Sequence, residues 1–218
     1  MKRDPSPCLL CNSSQTSHFA TGENRRYRHC SRCDLVFVPD AYLVSPAEER
    51  AKYDHHQNTP QNSGYVDFLN RLLTPLEDFL QPGDAGLDFG SGPGPTLHLL
   101  MHARGYPMEI YDPFYAPDTA IFRKKYDFIT MTEVIEHMHR PLAELERLMG
   151  MLHAGGVLGI MTAFRVDDFD RWYYKRDLTH IRFFTPETFR WIADYLGATL
   201  HIPRSGVVIL EKSPATSR

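Results

Sequence analysis

Apolar positions along the chain change their period more than once, and each change marks a different kind of element. Between residues 64 and 80, Val66, Leu69, Leu72, Leu73 and Leu76 recur at mixed three- and four-residue steps, the spacing of one helix face. Pro75 falls inside that stretch and is expected to bend or split it. Ahead of it, Ser45-Pro46-Ala47-Glu48 offers a serine cap, a proline at the first helical position and a glutamate placed to close a capping box, so a linker helix should start there. From Asp84 onward, short apolar runs alternate with helical segments: residues 85–89, 108–111 and 126–131 read as buried strands, and a helix follows from Thr96 to about Arg104, where Gly105 stops it. This alternation predicts an α/β fold, a Rossmann-like doubly wound and mostly parallel sheet.

Before Pro39 the pattern is different. Tyr27-Arg28-His29 and Leu35-Val36-Phe37-Val38 read as short strands, too few to make a core of their own. All four cysteines lie here, as Cys8-x2-Cys11 and Cys30-x2-Cys33 with eighteen residues between the pairs. Two such turns aim four sulfurs at one point and complete a tetrahedron, which predicts a structural zinc with no open position. Two disulfides or a redox Cys-x-x-Cys are the alternatives, but neither pair opens a helix after a strand and nothing marks the chain as secreted. The expected organisation is a zinc ribbon over residues 1–40, a helical linker over 41–82, the Rossmann-like domain over 83–212 and a disordered tail over 213–218.

Composition narrows the partners. At 218 residues and 42% hydrophobic content the chain can bury one full-sized core and carry a short appendage. Its longest apolar runs, such as residues 157–163, are too short to cross a bilayer, and the first five residues lead into no apolar signal core, so a soluble, cytoplasmic protein is expected. A net charge of -3 and a pI near 6.4 argue against wholesale capture of nucleic acid. Any RNA contact should use the first 33 residues, where Lys2, Arg3, Arg25, Arg26, Arg28 and Arg32 face only Asp4 and Glu23.

The candidate chemistry begins after the first strand of the sheet. Gly90-Ser91-Gly92-Pro93-Gly94 is a tight turn whose alternate glycines let backbone amides approach a ligand at a strand's C-terminal end. The dinucleotide fingerprint fails at Pro95 and no Gly-Lys-Ser/Thr follows, so the ligand need not carry phosphates. Asp112 ends the next strand, where a carboxylate can accept from both ribose hydroxyls of a nucleoside, or simply cap the turn at Pro113. The segments Asp-Phe-Gly-Ser-Gly-Pro-Gly, Asp112 and Tyr-Asp-Phe-Ile-Thr-Met-Thr-Glu-Val-Ile-Glu-His together resemble the class I S-adenosylmethionine-dependent methyltransferases over roughly residues 84–212.

That resemblance implies S-adenosylmethionine as cofactor. Asp88, Phe89 and the turn Gly90, Ser91, Gly92 and Gly94 would hold its amino-acid end, Asp112 and Pro113 its ribose side, and Met131, Thr132 and Glu133 its methionine side. Residues 155–161 resemble the family's fifth strand, Thr185-Pro186-Glu187 the cap of its last helix, and residues 198–202 and 206–210 its final antiparallel pair. Only fourteen residues separate Asp112 from Asp127, where the family fits a helix and a further strand with an adenine contact, so Pro113, Phe114 and Tyr115 are expected to take over by apolar stacking.

Glu133, Glu136 and His137 stand at i, i+3 and i+4 and share one face if a helix has begun by Glu133. With His180 they resemble the metal site of small-RNA 2′-O-methyltransferases and, more loosely, of metal-using quinone-pathway O-methyltransferases, which implies magnesium or manganese beside the acceptor. Glu-Val-Ile-Glu-His also resembles the fourth-strand motif of metal-free relatives. Without a metal, His180 or His137 is the candidate general base, with Glu136 beside it. Trp172, Tyr173 and Tyr174 are expected to wall the acceptor, or to pack under a lid. The reading is therefore a methyltransferase acting on oxygen or nitrogen of a small hydroxylated metabolite or sugar, with RNA as the second acceptor class. A module that senses cofactor without turnover, or an oxidoreductase using a nicotinamide, are the rival classes.

Overall fold

The computed structural model describes residues 6–54 and 58–214. Two sheets organise it. The larger has six strands in the order β5-β4-β6-β7-β10-β9, with β4 Gly86–Phe89, β5 Met108–Tyr111, β6 Tyr126–Thr132, β7 Leu152–Met161, β9 Ala198–Arg204 and β10 Val207–Lys212. Strands β5, β4, β6 and β7 run parallel, while β10 runs antiparallel to β7 and to β9. The central strands are mostly apolar and largely buried because helices cover both faces of a parallel sheet. Leu69, Leu73 and Leu76 pack with Phe128 and Ile209 on one side, and Leu145, Leu148, Phe189 and Ile192 with Leu87, Ile129 and Leu158 on the other.

Among the described residues, five α-helices accompany the strands: α1 Pro46–Tyr53, α2 Ser63–Glu77, α3 Leu97–Ala103, α4 Pro141–Met151 and α5 Pro186–Leu196. The capping box at Ser45 forms, with Glu48 reaching back to the cap. Thr185 caps α5, and Gly197 at φ 63° ends it. The split expected at Pro75 does not occur. Only Leu76 and Glu77 follow the proline in α2, so one donor is lost in the last turn, and burial of Leu72, Leu73 and Leu76 holds that turn in place.

The smaller sheet has the order β1-β2-β3-β8, with β1 Thr16–Gly22, β2 Arg25–Cys30, β3 Val36–Phe37 and β8 Arg182–Phe183. Its fourth strand comes from the far end of the chain: Val36 pairs with Phe183 and Phe37 with Arg182. Asp34 fastens the same junction, accepting from His29 at 2.7 Å, from Arg165 at 2.9 Å and from Thr185 at 2.6 Å. The four cysteines belong to the same apolar cluster as Leu87, Ile129 and Leu158. The ribbon thus shares a core with the large sheet, which explains how so short a segment stays ordered.

Among the basic residues read as an RNA footprint, Arg25 is buried and Arg28 donates to Thr16, which leaves Arg26 and Arg32 exposed among the described residues. Lys2 and Arg3 lie outside those residues, as do positions 215–218 of the expected tail; Ser213 donates to the Gly197 carbonyl at 2.8 Å. No helix among the described residues is long and apolar enough to cross a membrane.

Candidate active site

A cavity of about 780 Å³ opens at the C-terminal ends of β4, β5 and β6, between the turns that leave those strands and helices α1, α2 and α4. Gly90 and Gly92 adopt φ of 81° and 68°, and a Cβ on Gly90 would lie 2.4 Å from a methyl of Val134, so only glycine allows the two turns to touch. The Tyr111 carbonyl accepts from Gly90 N at 2.8 Å and Ser91 N at 3.1 Å. Asp112 locks the same corner: Oδ2 accepts from Gly92 N at 3.0 Å, and Oδ1 from Phe114 N at 2.8 Å and Tyr115 N at 3.1 Å. A carboxylate offers about four acceptor positions, so roughly one remains for a ribose hydroxyl, fewer than the two contacts anticipated from sequence.

Phe89, Gly90, Ser91, Gly92, Asp112 and Pro113 line this end of the cavity, and Thr132 and Glu133 line its floor. Ser91 Oγ and Thr132 Oγ1 are buried without a hydrogen-bond partner, a pattern that fits a polar ligand. Asp88, Gly94 and Met131 are not on the wall. Met131 points into the core by strand alternation. A Cβ on Gly94 would meet the Asn58 carbonyl at 2.3 Å, so this glycine admits the crossing chain and not a ligand.

Asp88 lies beneath the wall and accepts from Thr130 Oγ1 at 2.9 Å. Burial pushes its carboxyl up to about 7. The native chain therefore holds this proton more tightly than the unfolded chain, and stability falls as pH rises from about 4 through about 7, by roughly 4 kcal/mol at full effect. Asp88→Asn keeps an acceptor for Thr130 and has no such loss. Its melting temperature, measured without cofactor, should exceed that of the parent at pH 8 and match it near pH 4.

The other end of the cavity departs from expectation. β6 stops at Thr132, Glu133 takes φ 52°, and helical backbone resumes only as a single 3-10 turn over Ile135–His137. Glu133 therefore shares no helix face with Glu136 and His137. Among the described residues, Glu136, His137 and His180 bring their ligand atoms within 4.8 Å of one another, and Glu133 is not in that group.

Glu133 instead meets a tyrosine. Tyr174 Oη lies 2.9 Å from Glu133 Oε2, 2.5 Å from Glu136 Oε1 and 3.3 Å from Thr162 Oγ1. One hydroxyl proton cannot serve two carboxylates. Burial, and then the charge of Glu133, raise Glu136 well above the carboxylate range, and burial raises Glu133 as well, so the cluster favours an extra proton held between the two carboxyls that flank Tyr174. Tyr174→Phe breaks this cluster and strands a buried carboxyl, an expected loss of about 1–3 kcal/mol that thermal or urea unfolding would register.

The histidines are held from behind. His137 Nδ1 sits 3.0 Å from the Thr179 carbonyl and His180 Nδ1 2.8 Å from the Tyr174 carbonyl, with ring centroids 4.7 Å apart. Both Nδ1 atoms then carry the proton and Nε2 is the lone-pair nitrogen. Burial lowers the His180 pKa, which favours the neutral ring. Both rings line the cavity, as do Tyr173, 69% exposed, and Tyr174. Trp172 does not. It stacks on Tyr174 at 5.0 Å and meets Phe169 and Phe183 beneath the ribbon, so its place is the core and not the acceptor wall.

Several wall residues had no signal of their own in the sequence. Glu49 and Tyr53 come from α1, Tyr65 and Phe68 from α2, and Glu144 and Arg147 from α4. The capping box announced α1 but not which face it turns inward. Arg147 lies 3.8 Å over the Phe122 ring, which stands edge-on to Tyr111. Phe114 and Tyr115 also line the cavity.

A second cluster is closed to solvent. Cys8 Sγ and Cys33 Sγ lie 3.5 Å apart, as do Cys11 Sγ and Cys30 Sγ, and all four sulfurs are mutually within 4.8 Å without a disulfide. Tetrahedral zinc with bonds of about 2.3 Å needs sulfurs roughly 3.8 Å apart, so the four residues fit that ion. Burial, and then the charge of Cys8, push the Cys11 thiol up to about 12, and four thiolates coexist there only around a cation.

A family model described as a methyltransferase domain matches residues 53–201, more than half of the chain. No curated protein matches the sequence significantly. Among solved structures, a Burkholderia thailandensis 1,6-didemethyltoxoflavin-N1-methyltransferase with bound 1,6-didemethyltoxoflavin and S-adenosylhomocysteine is 16% identical, with TM-score 0.55, over 90% of this chain and 99% of that one. A Synechocystis magnesium protoporphyrin IX methyltransferase with bound S-adenosylhomocysteine is 14% identical, with TM-score 0.52, over 79% and 97%. An O-methyltransferase family protein from Burkholderia thailandensis is 12% identical, with TM-score 0.50, over 77% of this chain, which spans 63% of that protein's length. At these identities the likeness is one of fold.

Proposed function

Because the chain belongs to the class I S-adenosylmethionine-dependent methyltransferases, we propose that its cavity aligns this cofactor with a small hydroxylated metabolite or sugar and methylates an oxygen or nitrogen. The observation that carries the reading is the single cavity joining the glycine turn and Asp112 at one end to Glu133, Tyr174 and His180 at the other. The cofactor supplies a methyl group already activated on a sulfonium, so the protein's work is placement. Backbone at Gly90 and Gly92 approaches the amino-acid end, Ser91 Oγ and Thr132 Oγ1 supply unspent polar contacts, and Asp112 takes one ribose hydroxyl. Tyr111, Pro113 and Phe114 give the adenine an apolar seat in place of the missing strand. At the acceptor end, neutral His180 takes the proton of the attacking group through Nε2.

The lining supports a small acceptor over RNA. Arg147 is the one Lys or Arg on the described wall, against Glu49, Asp112, Glu133, Glu144 and Asp177, so a phosphate backbone would be repelled. A second reading has its own observation: Glu136 Oε2 is buried without a hydrogen-bond partner beside two histidines whose Nδ1 atoms are anchored by carbonyls, the usual outer support of a metal ligand. Glu136, His137 and His180 would then hold magnesium or manganese, which would lower the pKa of an acceptor hydroxyl. In either case the four cysteines would be the zinc site.

Tritiated S-adenosylmethionine, incubated with the chain and cell extract fractionated by size and nuclease sensitivity, tests the acceptor. Label in the small-molecule fraction is expected, and label only in nuclease-sensitive material would overturn the proposal. Calorimetry in which NAD binds and neither adenosyl ligand does would remove its premise. Anomalous scattering from manganese-soaked crystals decides the second reading.

A further inference from the structure

We propose that Arg25, in the cysteine ribbon, is a positioning residue for methyl transfer: its guanidinium holds residues 174–180 in the shape that presents Tyr174, Asp177 and His180 to the acceptor. The inference rests on the acceptor end of the cavity being where the proposed function puts it. Arg25 is 3% exposed, and its fork is spent on one loop. Nη2 donates to the carbonyls of Lys175 at 2.7 Å and Asp177 at 3.1 Å, and Nη1 to that of Leu178 at 2.9 Å, while Nε donates to Tyr27 Oη at 2.9 Å.

The grip has a second hand. Tyr27 Oη donates to Glu23 Oε2 at 2.9 Å, and the same carboxylate takes the buried Lys175 Nζ at 2.8 Å. Backbone and side chain of the loop are thus both tied to the β1–β2 hairpin. Residues 177–181 belong to no strand or helix, and His180 depends on the Tyr174 carbonyl for its ring orientation, so a shift of the loop shifts the base. Only a planar guanidinium reaches three carbonyls of one turn from one point; an ammonium in its place has neither the width nor the fork. Apolar packing would have joined ribbon to sheet at lower desolvation cost, whereas this arrangement dictates the conformation of the segment that lines the cavity.

Arg25→Lys in the full-length, zinc-loaded chain tests this by hydrogen exchange, calorimetry with S-adenosylhomocysteine, and tritium transfer to the small-molecule fraction of cell extract. Amides of residues 174–181 are expected to exchange at least about 10-fold faster while β4 and β6 keep their protection. Cofactor affinity should stay within about 2-fold, and transfer should fall by about 10- to 100-fold, the usual cost of a displaced catalytic group. Unchanged exchange at 174–181, or an equal rise in β4 and β6, would overturn the proposal, the latter showing that Arg25 serves stability alone. Should Arg25→Lys not fold, Glu23→Gln frees Lys175 and must give the same local pattern in weaker form; no local change there overturns it equally. Absence of transfer by the parent chain would count against the acceptor reading, with the exchange result still deciding the role of Arg25.

Discussion

Asp112→Ala is expected to weaken S-adenosylhomocysteine binding by about 100-fold or more, the largest loss from any single change at the cofactor end. The residue does two things at once. Its carboxylate accepts three backbone amides that fix both turns of the corner, Gly92 on one side and Phe114 and Tyr115 on the other. It also has about one acceptor position left for the ribose. One hydrogen bond to a charged acceptor is worth about 1.5–3 kcal/mol, and with the loosening of both turns the loss reaches the ~2.8 kcal/mol that a 100-fold change requires. Asp112→Asn keeps one oxygen and should sit between, near 10-fold. Calorimetry decides: affinity within about 3-fold of the parent for Asp112→Ala would mean that the cofactor lies elsewhere in the cavity.

Cys30→Ser, or stripping the metal from the parent chain, should lower stability by roughly 5 kcal/mol or more, a melting shift of about 10–20 °C for a chain of this size. The four sulfurs sit in the same apolar cluster as Leu87, Ile129 and Leu158, so the damage is not confined to the ribbon. Losing a thiolate leaves three others buried around an incomplete site, while the hairpin that carries Glu23 and Arg25 loses its anchor at Cys30, the last residue of β2. Metal release measured with a chromogenic chelator during the melt would follow the same transition. A chain that contains no zinc, or one that melts within about 2 °C of the parent after the metal is removed, would show the cysteines to be ordinary core residues.

Much of this was legible in the sequence, for local reasons. Strands β4, β5 and β6 are short, mostly apolar runs, the first two closed by Gly90 and Asp112, and they fall within a residue of where pattern alone puts them. The glycine turn and Asp112 are recognisable because their chemistry is set by a few adjacent residues. What escaped depends on distant partners. β1 has no clean alternation, since most of it is only partly buried and it is held by pairing with β2. Trp172 faces the core because residues of the ribbon, some 130 to 150 positions away, complete the pocket around it. A shared face for Glu133, Glu136 and His137 requires a helix begun by Glu133, but that residue's amide is claimed by Met161 and its backbone turns left-handed, which separates it from Glu136.

The pairing of Val36 with Phe183 has a consequence for how the molecule assembles. During synthesis the three ribbon strands leave the ribosome long before the fourth exists, and the loop that must close between them spans most of the chain. Such closure is slow because its entropy is spent before any distant contact repays it. Until β8 arrives, β3 has an open edge and the four thiols depend on the metal alone for protection. Early zinc capture would therefore guard the nascent chain against oxidation and edge-to-edge aggregation, and the yield of folded protein should depend on metal supply during translation more than after it.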